Sequence, residues 1–238
     1  MKNMVTQTSP LIKTRELVKV YHRKIGPPIK ALDGVNVEIH SGEFLALVGR
    51  SGSGKSTFLN LVGALDRPTS GEVIFEGKSL KNFSNCDLTL FRREKVGFVF
   101  QTFNLLPSLT VVENVESALV HSHISREEIE DKVAVLLNSF DLSDKYNRLP
   151  LELSVGQQQK TAIARAIVKD PILILADEPT GEMDPIAGKE IVEKLIELNK
   201  KSKVTLIVAS HGAFPYNQAD RTLCIKDGKI VSQKEAGY

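Results

Sequence analysis

The stretch Phe44-Leu45-Ala46-Leu47-Val48-Gly49-Arg50-Ser51-Gly52-Ser53-Gly54-Lys55-Ser56-Thr57-Phe58-Leu59-Asn60-Leu61-Val62 decides how this chain is read. Five apolar residues, short enough for a buried strand, give way to a glycine-rich loop, and the loop leads into an apolar segment of helical length. The spacing G-x-x-x-x-G-K-S is that of a phosphate-binding loop. Its glycines admit backbone conformations closed to other residues, so successive N–H groups point inward around an anion at a helix N-terminus. Lys55 supplies a point charge, and the Ser56 hydroxyl is placed to reach Mg²⁺. Gly49, Arg50, Ser51, Gly52, Ser53, Gly54, Lys55, Ser56 and Thr57 are therefore assigned to the phosphates of a nucleotide.

On either side of this stretch the pattern alternates strand and helix. Residues 11–21 and 29–39 read as β segments, the second with apolar residues alternating at Val35, Val37 and Ile39. A short strand follows at 72–75 and another at 96–100, which ends at Gln101. The period then changes. Residues 111–122 and 125–140 read as helices, the second opened by a Ser125/Glu128 capping box. Residues 154–169 form the next helix and 172–176 a buried strand. Asp184 caps a helix with Pro185 in its first turn. A strand at 204–209 and a hairpin over 222–231, turning at Asp227-Gly228, complete the chain. The expected arrangement is an α/β core with a helical lobe set into it.

Four apolar strands run directly into a polar residue: Val48 into Gly49, Phe100 into Gln101, Ala176 into Asp177-Glu178, and Ala209 into Ser210-His211. In open α/β sheets ligands bind beyond the carboxyl ends of the strands, so the four ends predict one convergent site. Asp177 is placed as a Mg²⁺ ligand and Glu178 as the group that orients and deprotonates water. Two carboxylates are needed, because one neutralised by the metal is a poor proton acceptor. Gln101 can reach Mg²⁺ or the attacking water through its amide, and His211 can donate to a γ-phosphate. Tyr21 offers an aromatic face to a base, or is an ordinary residue at a strand end. Ser154-Val155-Gly156-Gln157 is a capping box and also a helix N-terminus able to hold an anion, and local sequence leaves both readings open. His121 and His123 fall near a helix end and are read as solvated.

With 238 residues the chain suits one large domain or a domain with an inserted lobe. Residues 1–10 read as a polar tail without the apolar stretch of a secretion signal, and no apolar run reaches membrane-spanning length. The expectation is a soluble cytosolic protein. Cys86 and Cys224 have neither metal nor redox spacing and read as free thiols. A net charge of +2 gives no reason to expect a nucleic-acid partner.

Taken in order, Gly49 to Ser56, Gln101, Leu153-Ser154-Val155-Gly156-Gln157, Asp177-Glu178, Asp184 and His211 resemble the nucleotide-binding subunit of an ABC transporter, over residues 11 to about 231. The resemblance implies an α/β fold: a P-loop NTPase (RecA-like) core, residues 11–101 and 161–238, with an antiparallel β subdomain and an inserted α-helical subdomain over 102–160. It implies a Mg²⁺-dependent ATPase working as a head-to-tail dimer, or a pseudo-symmetric dimer with a related subunit, that sandwiches two ATP. In such a dimer Ser154, Gly156 and Gln157 of one subunit face the γ-phosphate held by the other, and Asp184 crosses the interface. It also implies an integral membrane permease as partner and a location peripheral to the inner face of the cell membrane. Gly97-Phe98-Val99-Phe100-Gln101, Phe103 to Pro107 and Asp177 to Gly181 are similar to the lipoprotein-release and macrolide-export group. The apolar run 103–109 would then receive a cytosolic helix of the permease, or serve as core of the lobe. An ABC-type ATPase that gates or signals to a membrane-anchored complex, such as cell-wall remodelling, without moving a substrate would carry the same motifs. The chain departs from the pattern in three places: Val155 replaces the first signature glycine, Lys160 an arginine, and Glu182-Met183 the residues usual before Asp184. Val155 would be strained if that position needs a positive φ and tolerated if it lies in a helical first turn.

Overall fold

The structure is a computed structural model and describes residues 9–211 and 218–236. Residues 1–8 of the expected polar tail lie outside the described residues, as do 237 and 238 at the end of the expected domain.

Two sheets carry the fold. The smaller is antiparallel, in the order β2 (Ile29–Ile39), β1 (Ile12–Tyr21), β4 (Ser70–Phe75), β5 (Lys78–Ser79). The larger has six strands in the order β10 (Lys229–Val231), β9 (Arg221–Lys226), β3 (Phe44–Val48), β8 (Thr205–Ser210), β7 (Leu173–Asp177), β6 (Val96–Val99). Its pairs are parallel apart from the β9–β10 hairpin. Burial on both faces explains the unbroken apolar runs of β3, β7 and β8. Leu45, Leu47, Leu173, Leu175, Ile207 and Ala209 point to one side, into a core shared with the small sheet and α1 (Lys55–Val62). Phe44, Ile174, Ala176, Leu206 and Val208 point to the other, into a core shared with α5 (Val155–Ile167) and α6 (Pro185–Ser202).

Between β4 and β6 lies a helix the sequence reading passes over, α2 (Asn85–Lys95), capped by a reciprocal Ser84/Asp87 box. Between β6 and α5 come α3 (Val111–Glu116) and α4 (Arg126–Ser139). The helix expected over 111–122 is shorter than that. It tightens to a 3₁₀ turn at Ser117–Leu119, where the Ser117 hydroxyl donates to the Asn114 carbonyl at 2.7 Å. The chain closes with the short helix α7 (Gln233–Ala236). No helix among the described residues is long and apolar enough to cross a membrane.

The loop joining β6 to α3 is built on a buried asparagine and a half-buried arginine. Fully buried Asn114 donates from Nδ2 to the carbonyls of Leu106, Leu109 and Thr110 and accepts from the Leu106 N–H at 2.8 Å. Phe103 and Asn104 both hold left-handed backbone, at φ 61° and 48°. Their carbonyls accept from the Arg165 guanidinium at 2.8 and 2.6 Å.

Lys169 follows α5 and donates to the Arg92 carbonyl at 2.8 Å, and burial lowers its ammonium pKa to about 8. The unfolded chain holds that proton up to the ordinary value of 10.5, so between the two values the folded state binds fewer protons and stability from this group rises with pH. Replacing Lys169 by Met should flatten this rise, read as urea midpoints of both proteins from about pH 7.5 to about pH 10.5.

Candidate active site

The carboxyl ends of β3, β6, β7 and β8 lie side by side in the sheet, because the order β3–β8–β7–β6 makes each of them the neighbour of another. Gly49 to Gly54 leave β3 as a loop and enter α1, with Gly54 as N-cap at φ 114°. A β-carbon on Gly49 would meet the Ile225 carbonyl at 2.3 Å, and one on Gly54 the Ala31 carbonyl at 2.5 Å. The loop is therefore pressed against β9 on one side and β2 on the other.

Lys55, the first residue of α1, is buried at 4% exposure. Its Nζ donates to the Gly49 carbonyl at 2.8 Å and the Arg50 carbonyl at 3.2 Å and forms an ion pair with Glu178 Oε1 at 3.5 Å. Glu178 follows β7, and its other oxygen, Oε2, lies 2.8 Å from His211 Nδ1, just past β8. One carboxylate thus bridges the loop lysine and the histidine. Asp177, the last residue of β7, takes a hydrogen bond from the Ser56 hydroxyl, while its Oδ1 is buried with no partner among the described residues. Burial raises the Asp177 carboxyl above the ordinary range and the charge of Glu178 adds to this, against the pull of Ser56 and Lys55. An unpaired buried carboxylate oxygen beside a serine hydroxyl is the donor set expected of a hard divalent cation. Ser53 Oγ, in the loop, is also buried with no partner among the described residues.

Gln101 lies two residues beyond β6, and its Nε2 donates to Glu182 at 3.1 Å. A carboxylate can only accept, so Glu182 takes the amide's NH₂ end. Tyr21, at the end of β1, donates to Asp66 Oδ2 at 2.9 Å and accepts from Thr57, with Lys19 Nζ over its ring at 4.9 Å from the centroid. Burial, then Asp66, raise its phenol pKa. Tyr21 thus stands beside the start of α1, at the edge of the loop.

Ser154, Gly156 and Gln157 stand apart from this group. Ser154 caps α5: its Oγ accepts from the Gln157 N–H at 3.3 Å, and the Ser154 N–H donates to Gln157 Oε1 at 3.0 Å. No hydrogen bond or ion pair joins them to the loop among the described residues. Val155 is the first residue of α5, helical and 41% exposed, so the tolerated alternative holds and the position carries no left-handed strain. A β-carbon on Gly156 would touch Met183 at 3.5 Å and Ala187 at 3.7 Å, which places the start of α5 against the start of α6. Asp184 caps α6 through the N–H groups of Ile186 and Ala187, both at 3.0 Å. Lys160 pairs with Glu190 at 3.2 Å and Asp141 at 4.0 Å, exposed pairs of small energetic weight. His121 and His123 are exposed, and no group of three or more His, Cys, Asp or Glu residues suited to a metal occurs among the described residues.

The sequence pattern of the ABC transporter family matches residues 32–181. The chain is 41% identical over 230 residues to an uncharacterised ABC transporter ATP-binding protein, MJ0796, of Methanocaldococcus jannaschii, covering 94% of this chain and 97% of that protein. A dimeric structure of the MJ0796 cassette in a post-hydrolysis state, bound to ADP and Pi, superposes with a TM-score of 0.86 over 93% of this chain and 97% of that one, at 40% identity. The LolD ATP-binding protein of a lipoprotein-releasing system in Syntrophus aciditrophicus is 40% identical, over 93% of this chain and 99% of its own. The macrolide export ATP-binding/permease protein MacB of Hyphomonas neptunium is 41% identical over 94% of this chain, which spans only 35% of that longer protein. With the phosphate loop, the strand-end carboxylates and the capped α5 all in place, the chain belongs to the ABC transporter family, as its ATP-binding, ATP-hydrolysing cassette.

Proposed function

We propose that this cassette turns over MgATP with Glu178 as the base, works as a head-to-tail dimer, and drives an integral membrane permease from the inner face of the membrane. The observation that carries the reading is the position of Glu178 between Lys55 and His211. The Glu178 oxygen lies farther from Lys55 Nζ, at 3.5 Å, than the Gly49 and Arg50 carbonyls do. A phosphate oxygen arriving at the loop displaces that contact at the least cost, and the freed Oε1 can then accept a proton from water. His211 keeps hold of Oε2 and fixes the carboxylate's direction. The loop N–H groups and Lys55 steady the charge on the transferring phosphoryl group.

Asp177 Oδ1, the Ser56 hydroxyl and the Oε1 of Gln101 would hold Mg²⁺. Held there, such an ion would supply positive charge to offset the negative charge of the transferring phosphoryl group. Tyr21 is assigned to the base, at the end of the loop where Thr57 touches it.

Ser154, Gly156 and Gln157 form a partly exposed helix N-terminus that no hydrogen bond or ion pair joins to the phosphate loop among the described residues, which suits a site completed by a second copy. The dimeric MJ0796 cassette supports that reading. The ATP-binding/permease name of the macrolide exporter supports a permease partner. The loop 103–109, where Leu106 is exposed, is proposed as its contact. Residues 102–160 are proposed as the lobe that bears both surfaces.

The test is phosphate release by the purified chain, with EDTA as control. Turnover that needs Mg²⁺ and rises more steeply than linearly with protein concentration is expected. Release unaffected by EDTA would overturn the Mg²⁺ requirement. A tagged chain drawn from detergent-solubilised membranes without any integral membrane subunit would overturn the permease reading.

A further inference from the structure

Glu178 holds an unfavourable backbone conformation. Its φ is 47°, left-handed for a residue with a full side chain, and Pro179 follows it, which further disfavours helical backbone of either hand. Such a conformation persists only where its surroundings over-determine it. Two backbone bonds hold the residue itself: its N–H donates to the Ala209 carbonyl at 2.9 Å, and its carbonyl accepts from the Gly181 N–H at 3.0 Å. The next carbonyl, that of Pro179, takes a 2.7 Å hydrogen bond from Nε2 of Gln159.

Gln159 belongs to α5 and is fully buried, at 0% exposure. Its amide is only half satisfied, since Oε1 is buried with no partner among the described residues. Leucine would fill a similar volume without leaving an acceptor unpaired, so the amide's contribution lies in what its NH₂ end does. That end ties the helix beginning at Ser154 to the peptide directly after Glu178.

We propose that Gln159 is a positioning residue for Glu178: it pins the Pro179 carbonyl and so keeps Glu178 in the left-handed turn that aims its carboxylate between Lys55 and His211. The proposal rests on the reading of Glu178 as the base. Among the described residues no hydrogen bond joins the Gln159 side chain to the phosphate loop, so its loss should affect the chemical step and leave binding intact.

The experiment uses the full chain with Gln159→Leu, and Gln159→Met as a second variant should leucine fold poorly. Each is made alone and together with Glu178→Gln. The expected result is a fall in kcat of about tenfold with KM for ATP within about twofold, the pattern of an interaction that matters only in the transition state. On the Glu178→Gln background the same change should leave the residual rate where it was. Unchanged kcat overturns the proposal. So does an equal loss of kcat and ATP affinity, which would mark a general packing role, and so does a full tenfold loss repeated on the Glu178→Gln background. Glu178→Gln at the parent rate is a separate result, which removes the base and with it the reason for positioning it.

Discussion

Glu178→Gln should abolish steady-state ATP turnover, by about 10²–10⁴-fold, while leaving ATP binding in place. The amide keeps the shape of the carboxylate but cannot take a proton. Lys55 loses only its longest contact, the one at 3.5 Å, and keeps the Gly49 and Arg50 carbonyls at 2.8 and 3.2 Å. The phosphate cradle is therefore intact. If closure of the dimer follows ATP binding and reopening follows hydrolysis, the variant accumulates closed. Size-exclusion chromatography in MgATP should show a dimer that the parent shows only transiently. A well-folded Glu178→Gln protein that elutes as a monomer with MgATP, or that still releases phosphate at the parent rate, would remove Glu178 from the role assigned to it.

The second large effect is expected at Gly54. This residue caps α1 at φ 114°, a conformation L side chains rarely adopt, and a β-carbon there would stand 2.5 Å from the Ala31 carbonyl and 3.0 Å from Leu32. Neither strain nor clash is relieved by a side chain turning aside, because the first obstacle is backbone. Gly54→Ala should weaken nucleotide binding by about 100-fold or more, since the loop must open by several tenths of an ångström or more at the point where its N–H groups converge. Gly52 separates the two causes. Its φ is 76°, but a β-carbon there would have nothing within 4 Å, so Gly52→Ala carries only the conformational cost, about 1 kcal/mol. Thermal unfolding of the nucleotide-free proteins should show Gly54→Ala as clearly the less stable of the two. Equal losses would mean that the contact with β2 contributes nothing.

Much of this site could be read from the chain because its parts are local. A strand, a glycine loop and a lysine occupy consecutive positions, and a polar residue directly after an apolar run is visible without knowing which strands adjoin. The Ser125, Ser154 and Asp184 caps were legible for the same reason, since a cap and its partner are three residues apart or fewer. Helix α2 was not, because only Leu88 and Phe91 of its residues are buried and its box closes with Asp87 rather than Glu or Gln. Two apolar positions do not make a period. The break after α3 turns on a serine hydroxyl bonding back to a carbonyl, which composition does not reveal. Arg165 and Gln159 act on backbone carbonyls 61 and 20 residues away, and a carbonyl has no letter in the sequence. The departure at Val155, in doubt from sequence alone, resolves once the residue is seen to be helical.

The phosphate loop owes its form to residues far along the chain. Ile225 fills the space beside Gly49, the Gly228 N–H bonds the Ser53 carbonyl at 2.9 Å, and Asp33 in turn bonds the Gly228 carbonyl at 2.9 Å. A ribosome that has finished residue 57 has written the loop but still has the hairpin at its back to make, about 170 residues later. Until that hairpin emerges, a nascent chain carries the letters of a nucleotide cradle without its shape, and a truncation that removes the hairpin would leave it in that condition for good.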